Sequence, residues 1–242
     1  MKTIVVKDYN EMSAVATDII CDVMTKKPDC VLGLATGSTP EGLYANLVKL
    51  NSEGKLDFSQ VRTVNLDEYY PISPDNDQSY RYFMNHKLFD HVNINKANTY
   101  VPDGLATDAE AACRAHEEII DALGGQDVQV LGIGQNGHIG FNEPSDEAIP
   151  FTHQESLTES TIKANSRFFA SEADVPTKAL TMGIQSILKA KKIIVLASGA
   201  AKAQAVFGML KGEVTPRCPA SLLRGHPDVI VIADEDAMSL CN

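Results

Sequence analysis

The chain has 242 residues, 21 of them Lys or Arg and 32 Asp or Glu, which gives a formal net charge of −11. Its length suits one domain or two small ones, and 44% hydrophobic residues supply a core that needs no disulfide or structural metal. The negative charge, without any basic run, excludes typical nucleic acid-binding proteins and proteins that bind anionic membranes.

Apolar segments rich in β-branched residues alternate with helical patterns along the chain. The predicted strands are Thr3–Val6, Val31–Ala35, Val61–Leu66, Val128–Ile133, Ile193–Ala197 and Val229–Ala233, of which the first and third are weaker. The predicted helices are Asp8–Thr25, one that begins at Thr39-Pro40, Gln78–Asp90, Asp108–Leu123, Lys178–Leu188 and Ala200–Leu210. The alternation predicts a single α/β domain over residues 1–242: a doubly wound, mostly parallel, Rossmann-like sheet with helices on both faces.

Residues 144–176 do not follow this alternation. Pro144–Pro176 has little periodicity and many Ser, Thr and Glu residues. Loops of this length in compact domains are usually lids or binding loops, so we expect a lid here. The alternative is a surface excursion with short helices of its own.

The residues that follow each strand indicate the function, because ligands of open α/β sheets bind beyond the carboxyl ends of the strands. Ala35-Thr36-Gly37-Ser38-Thr39-Pro40 places a glycine turn and three hydroxyls at a helix N-terminus. Backbone N–H groups at such a position bind anions, although the Gly-Lys-Ser/Thr of a Walker A loop is missing. The segment is therefore a candidate phosphate loop, and a tight turn with a threonine cap is the alternative.

Two neighbouring carboxylates, Asp67 and Glu68, follow the next predicted strand. Adjacent side chains on an extended backbone point to opposite sides. One carboxylate can therefore face a cleft while the other is held by the structure. A helix cap or a solvated pair is the alternative.

A glycine-rich segment, Gly132 to Pro144, follows the fourth strand and contains Gly-x-Gly-x-x-Gly. A dinucleotide fold is not expected, because Gly140 and Pro144 come too soon for the helix that such a motif opens. Glycines around His138 indicate instead a backbone folded closely around a small ligand. A histidine near a carboxylate, here Glu143, suits acid–base chemistry near neutral pH, and a structural histidine is the alternative.

Two cations complete the candidate site. Lys202 falls in the first turn of a predicted helix, where the helix dipole disfavours a cation unless an anionic ligand binds there; a merely exposed lysine is the alternative. Arg167 can bind phosphate through two parallel hydrogen bonds or pair with a surface acid. The combined set predicts a site for a phosphorylated small molecule and for proton transfer. The histidine spacing indicates no metal, and we expect no cofactor.

The five cysteines are odd in number and contain no Cys-x-x-Cys pair, which favours neither a disulfide framework nor a zinc ribbon. They fit a reducing compartment, and we expect a cytoplasmic protein. No apolar signal segment precedes the first strand, and no apolar run approaches the ~18 residues of a membrane span.

The chain closely resembles the glucosamine-6-phosphate deaminases (isomerising) over essentially its whole length. The matching segments are Leu34–Pro40, Asn65–Tyr69, Gly137–Pro144, Ala164–Phe169 and the segment around Lys202. The run Gly-His-Ile-Gly-Phe-Asn-Glu-Pro is the most specific of them. The related 6-phosphogluconolactonases share the fold and a Gly-His, without the Phe-Asn-Glu-Pro that follows.

The resemblance implies that glucosamine 6-phosphate and water are converted to fructose 6-phosphate and ammonia without metal or organic cofactor. His138, oriented by Glu143, would open the sugar ring, and Asp67 would move a proton between C2 and C1. The residues implied to bind the substrate and its phosphate are Thr36, Gly37, Ser38, Gly137, Arg167, Lys202 and Glu68.

The chain departs from the family pattern at two places. Asn136 stands where many members carry Asp, and since an amide supplies no charge we expect a supporting role at most. Longer, hexameric members bind the activator N-acetylglucosamine 6-phosphate through basic residues, where this chain has acidic ones among residues 145–155. Acidic residues repel a second phosphate, and the chain ends at Asn242 without the longer tail of those members. We therefore expect no such activation and slightly favour a monomer.

Three other functions compete with this one. A related sugar-phosphate isomerase or a 6-phosphogluconolactonase has the same fold, but a lactonase needs no proton shuttle between C1 and C2. A non-catalytic sugar-phosphate sensor usually carries a DNA-binding helix-turn-helix at one end. A first strand at Thr3 leaves no room for one ahead of it, and a net charge of −11 does not attract DNA. The set of Asp67, His138 and Glu143 argues against an inert anion pocket.

Overall fold

A computed structural model describes residues 1–158, 162 and 175–241 of the chain. Its strands are β1 (Lys2–Val6), β2 (Val31–Leu34), β3 (Arg62–Asn65), β4 (Asp67–Tyr70), β5 (Thr99–Tyr100), β6 (Val128–Gly132), β7 (His153–Ser156), β8 (Lys178–Thr181), β9 (Ile193–Ala197) and β10 (Val229–Asp234). Its α-helices are α1 (Tyr9–Lys26), α2 (Glu41–Ser52), α3 (Tyr80–Lys87), α4 (Ala109–Ala122), α5 (Ile184–Leu188) and α6 (Ala203–Lys211). Short 3₁₀ turns cover Phe89–His91, Lys96–Asn98, Ala200–Lys202 and Pro219–Gly225.

Seven strands form one sheet in the order β1-β10-β9-β6-β2-β3-β5, and every neighbouring pair is parallel. This confirms the predicted doubly wound α/β fold and all six predicted strands. The edge strand β5 was not predicted, because two residues are too few to produce a periodic pattern.

Helices cover both faces of this sheet and bury an apolar layer on each. The layer under α1, α2 and α3 includes Met12, Ile20, Leu43, Leu47 and Met84; the layer under α4, α5 and α6 includes Ile120, Ile187, Val206 and Met209. Full burial of one such side chain stabilises the fold by about 1.5–3 kcal/mol, so these two layers supply the main driving force. At the predicted start of α1, the Asp8 carboxylate accepts hydrogen bonds from the backbone of Asn10 and Glu11.

The segment Lys178–Leu188, predicted as a single helix, is a strand followed by a short helix. β8 occupies its first four residues and α5 begins at Ile184. The break falls at Gly183, where a Cβ atom would collide with the backbone carbonyl of Phe151. The prediction was wrong because β8 is set by its pairing with other strands, which local periodicity does not report.

A second, antiparallel sheet has the order β4-β8-β7. Thr181 of β8 lies between Asp67 of β4 and His153 of β7 in this sheet. The strand β7 falls inside the segment 144–176, so this part of the predicted lid is tied into a sheet. Residues 159–161 and 163–174 lie outside the described residues, and the lid stays a prediction.

All five cysteines are free thiols. None of the helices within residues 1–158 and 175–241 is long and apolar enough to cross a membrane.

Candidate active site

The segments that follow β2, β3, β6 and β9 meet at the carboxyl edge of the large sheet. Nζ of Lys202 donates a 2.7 Å hydrogen bond to the carbonyl oxygen of Ile133. A Cβ atom on Gly132 would lie 3.8 Å from the hydroxyl of Thr39. A Cβ atom on Gly140 would lie 3.3 Å from Oδ2 of Asp67. The structure thus brings together the predicted phosphate loop, the carboxylate pair, the glycine-rich segment and the lysine.

The side chain of Tyr9 holds the candidate phosphate loop in place. The hydroxyl of Tyr9 donates to the carbonyl oxygen of Ser38 at 2.9 Å and accepts from the backbone N–H of Gly42 at 2.8 Å. Gly37 has φ of +90°, a conformation that favours glycine. Thr36 is half-buried, while Gly37 and Ser38 are exposed. The loop therefore presents an accessible backbone just before the N-terminus of α2, the geometry in which backbone N–H groups receive an anion.

Lys202 lies at the end of the turn Ala200–Lys202, immediately before α6, close to the predicted position at a helix start. Burial lowers the pKa of its ammonium group, and no carboxylate among the described residues opposes that shift. An ammonium group has three donors, and the bond to Ile133 engages one of them. This is a suitable place for an anionic ligand, since such a ligand would supply the missing countercharge.

Asp67 begins β4 and is only 6% exposed. Burial, together with the neighbouring Glu68 carboxylate, raises the pKa of Asp67 to about 8. It is accordingly a carboxyl group that exchanges a proton near neutral pH, as a general acid–base catalyst must.

Glu68 is held by the backbone at the start of α3. Its Oε1 accepts from the N–H groups of Tyr69 at 2.9 Å and Tyr80 at 2.7 Å, and its Oε2 accepts from the N–H of Arg81 at 2.9 Å. These bonds oppose the rise in its pKa that burial causes. The sequence grouped Glu68 with the substrate-binding residues, but this geometry is that of a helix cap.

His138, Glu143 and Asn136 form a connected group. Nδ1 of His138 lies 3.5 Å from Oε1 of Glu143, a separation longer than a good hydrogen bond. Nδ2 of Asn136 donates to Oε2 of Glu143 at 2.7 Å, and its Oδ1 accepts from the backbone N–H of His138 at 3.2 Å. The imidazole side chain is 29% exposed and the Glu143 side chain 8% exposed. The histidine is thus open to a ligand while its carboxylate neighbour is shielded.

The glycines around His138 leave room that only glycine can leave. A Cβ atom on Gly134 would overlap the imidazole ring of His138. Gly137 has φ of +88°, and a Cβ atom there would lie 2.8 Å from Sγ of Cys218. The backbone is folded closely around the histidine itself. The small ligand that the glycine spacing predicts there stays a prediction.

Sequence reasoning missed several residues that shape this site. The hydroxyl of Thr181, opposite Asp67, accepts from the backbone N–H of Phe141 at 3.1 Å. The rings of Tyr69 and Tyr80 pack with centroids 4.8 Å apart, and each packs against Phe141. No local motif marks Thr181 or Tyr80, because both reach the site through tertiary contacts.

Arg167 lies outside the described residues. Within residues 1–158, 162 and 175–241, no group of three or more His, Cys, Asp and Glu side chains is arranged to hold a metal ion.

Comparisons with known proteins identify the family of the chain. Residues 9–231 match the model of the family "Glucosamine-6-phosphate isomerases/6-phosphogluconolactonase". The chain is 56% identical over 236 residues to a glucosamine-6-phosphate deaminase of Clostridium beijerinckii, covering 98% of each chain, and 54% identical over 240 residues to one of Clostridium perfringens, covering 99% of each.

Two solved structures place the fold. One is a monomeric glucosamine-6-phosphate deaminase, 48% identical with a TM-score of 0.96, which matches over 99% of this chain and 100% of its own. The other is a 6-phosphogluconolactonase of Trypanosoma brucei, 19% identical with a TM-score of 0.77, covering 98% and 97% of the two chains. The second likeness concerns the fold alone.

Proposed function

Because the chain belongs to the family of glucosamine-6-phosphate isomerases and 6-phosphogluconolactonases, we propose that it converts glucosamine 6-phosphate and water to fructose 6-phosphate and ammonia. The observation that carries the proposal is the approach of the buried Asp67 carboxyl to the glycine-rich segment that holds His138 and Glu143. The Asp67 carboxyl suits proton transfer at carbon, and the pair of His138 and Glu143 suits ring opening. A lactonase would need only part of this set.

Ring opening falls to His138. Its imidazole moves the proton between the ring oxygen and the C1 hydroxyl, so that the pyranose becomes the open-chain aldehyde. Glu143 orients the imidazole, and Asn136 holds the Glu143 carboxylate in place through its 2.7 Å hydrogen bond. A positioned acid or base of this kind typically accelerates a step by ~10²–10⁴-fold.

Isomerisation falls to Asp67. In its ionised form the carboxylate takes the proton from C2 of the open-chain sugar while the substrate's ammonium group gives a proton to the C1 carbonyl oxygen, which together form an enolamine. Asp67 then returns the proton that it took to C1. The product is an iminium at C2, to which water adds. The resulting carbinolamine expels ammonia and leaves the C2 ketone of fructose 6-phosphate. A raised pKa helps this sequence, because the protonated Asp67 must give up its proton again at C1.

The phosphate group is held at the other end of the sugar. Thr36, Gly37 and Ser38 offer backbone N–H groups and hydroxyls near the N-terminus of α2, and Lys202 offers its ammonium group. Gly137 and Arg167 are further proposed substrate ligands. The binding energy of this remote group positions C1 and C2 against the catalytic side chains.

We propose that the protein is a monomer, that it is located in the cytoplasm and that N-acetylglucosamine 6-phosphate does not activate it. It is supported by the monomeric state of the relative with 48% identity and by the acidic residues among 145–155. A sedimentation profile of the purified chain tests the first point. A sigmoidal rate curve that N-acetylglucosamine 6-phosphate makes hyperbolic would contradict the last.

The decisive experiment measures ammonia and fructose 6-phosphate together from glucosamine 6-phosphate, without added metal or cofactor. Wild-type protein should yield equal amounts of both products, and Asp67→Asn should yield neither. Asp127→Asn is the matched control: Asp127 is also a buried carboxylate, but it accepts from the backbone of Val31 at the amino edge of the sheet. A folded wild-type protein that releases neither product, yet hydrolyses 6-phosphogluconolactone, would replace the deaminase with the lactonase.

A further inference from the structure

Asp234 ends β10 at the same sheet edge as the candidate active site, and its carboxylate accepts hydrogen bonds from Ser198, Gly199 and Ala237. The hydroxyl of Ser198 donates to Oδ2 at 2.5 Å, and the backbone N–H of Gly199 lies 3.0 and 2.9 Å from the two carboxylate oxygens. The N–H of Ala237 donates to Oδ1 at 2.8 Å. The residue is 5% exposed, and these bonds lower the pKa of its carboxyl group against the effect of burial. Asp234 is therefore a buried carboxylate that clamps the loop after β9.

That loop leads directly to Lys202. Gly199 has φ of +90°, so the chain turns sharply at the residue that Asp234 holds. The carbonyl oxygen of Gly199 accepts from the backbone N–H of Lys202 at 3.0 Å. The ammonium group of Lys202 then reaches across to the carbonyl oxygen of Ile133 at 2.7 Å. A continuous series of hydrogen bonds thus connects Asp234 with the cation of the proposed phosphate site.

We propose that Asp234 is a positioning residue that places Lys202 to receive the phosphate group of the substrate. The proposal rests on the proposed function, because it takes Lys202 as a phosphate ligand. An acceptor on both carboxylate oxygens is required here, since the three groups around it are all donors in this arrangement. An asparagine would retain one acceptor and turn an NH₂ group towards Ser198 and Gly199.

The sign of the effect separates positioning from simple electrostatics. A carboxylate near a phosphate site repels the phosphate, so removal of its charge alone would strengthen binding. Removal of the clamp, in contrast, releases the loop that carries Lys202 and weakens binding. The two explanations therefore predict opposite changes in the same measurement.

The test titrates inorganic phosphate into the full chain by calorimetry and measures KM and kcat for glucosamine 6-phosphate. Asp234→Ala should raise the Kd for inorganic phosphate about tenfold, the loss typical of a residue that orients a ligand-binding group. Asp234→Asn should raise it less, because one acceptor remains. KM should rise in parallel with Kd while kcat changes less than kcat/KM, as expected when binding common to ground and transition states is lost. Asp127→Asn, the control, should alter neither KM nor Kd.

A double-mutant cycle tests whether Asp234 acts through Lys202. In a Lys202→Ala background, Asp234→Ala should change the Kd for phosphate by less than about twofold, because the group that it positions is gone. Fully additive effects would overturn the proposal, as would unchanged or tighter phosphate binding in Asp234→Ala. Wild-type protein that binds no phosphate would also overturn it.

A second variant and a binding measurement that is independent of turnover keep the test decisive. If Asp234→Ala does not fold, Ser198→Ala removes one bond of the clamp and should raise the Kd in the same direction by a smaller factor; an unchanged Kd there counts against the proposal. The titration needs no turnover. If wild-type protein makes no ammonia but Asp234 variants lose phosphate affinity through Lys202, the proposed function fails and the positioning role stands.

Discussion

Asn136 and Glu143 are joined by a 2.7 Å hydrogen bond from Nδ2 to Oε2, which leaves Oε1 of Glu143 directed at Nδ1 of His138, 3.5 Å away. The amide also accepts from the backbone N–H of His138. Asn136 is therefore placed to orient the histidine indirectly, through Glu143 and through the backbone. This placement is compatible with the supporting role expected of an uncharged amide, which stays a prediction.

Asn136→Ala should lower kcat/KM for glucosamine 6-phosphate by about 10-fold or more, since a hydrogen bond to a charged group contributes about 1.5–3 kcal/mol. Steady-state kinetics of the folded variant measures this effect, and wild-type kcat/KM in Asn136→Ala would rule out this role of Asn136.

Asp67→Asn should abolish activity and yet stabilise the protein at alkaline pH. The raised pKa means that the folded state disfavours the ionised form, so this carboxyl stabilises the fold below its unfolded pKa and loses that contribution as pH rises towards about 8. An amide avoids the loss. We expect the Tm of the variant to exceed that of wild type by about 2–4 °C at pH 9, which corresponds to about 1 kcal/mol for a domain of this size, and by less at pH 5.

In the same thermal scans, Asp127→Asn should change the Tm in the opposite direction to Asp67→Asn. Ion pairs with Lys27 and Lys191, at 3.0 and 2.7 Å, help to lower the pKa of Asp127. Its stabilisation is present above the unfolded pKa and disappears as pH falls through the lower folded pKa. The Asn variant should thus melt below wild type at neutral pH. Equal and pH-independent shifts in both variants would contradict the assignment of Asp67 as a carboxyl with a raised pKa.

On the acid side of the pH profile, kcat/KM should fall at a pH far above the ordinary pKa of an aspartate. Asp67 must be ionised to take the C2 proton, and burial beside Glu68 raises its pKa. Activity should therefore rise as pH approaches the raised value from below. The residual activity of His138→Asn should show the same fall at acid pH. Because this variant has no imidazole at position 138, titration of His138 would then not be the cause of the fall. A limb near pH 4 in wild type would exclude Asp67 as the base.

Gly134→Ala should reduce kcat/KM by about 10²-fold, because its Cβ would overlap the imidazole ring of His138 and a displacement of about 1 Å costs that much in a positioned site. Gly225→Ala is the control, since nothing lies within 4 Å of a Cβ at Gly225. Kinetics and thermal melting of both variants separate loss of the site from loss of the fold. Wild-type kinetics in a folded Gly134→Ala protein would show that the close backbone approach has no part in catalysis.

The sequence alone was sufficient for six of the seven strands of the parallel sheet. Strands such as Val128–Gly132 and Ile193–Ala197 are buried on both faces, so they must be apolar at nearly every position, and that requirement is visible in one dimension. The antiparallel strands of the small sheet carry polar residues even where they are buried, such as Glu68 of β4 and Thr181 of β8. Lys178–Leu188 was mistaken for a helix because β8 is set by its pairing with β4 and β7, which local periodicity does not report.

The sequence by itself also determined the chemical groups of the candidate site. Glycine spacing marks His138, since close backbone approach excludes other residues, and adjacent carboxylates mark the end of β3. Only the tertiary structure decided which partners surround each group. It assigned Glu68 to the cap of α3 and placed Asp234, more than thirty residues from Lys202, beneath the loop that carries that lysine. The physical reason is that burial and hydrogen-bond partners come from distant segments, and these partners set the pKa and the orientation of a side chain.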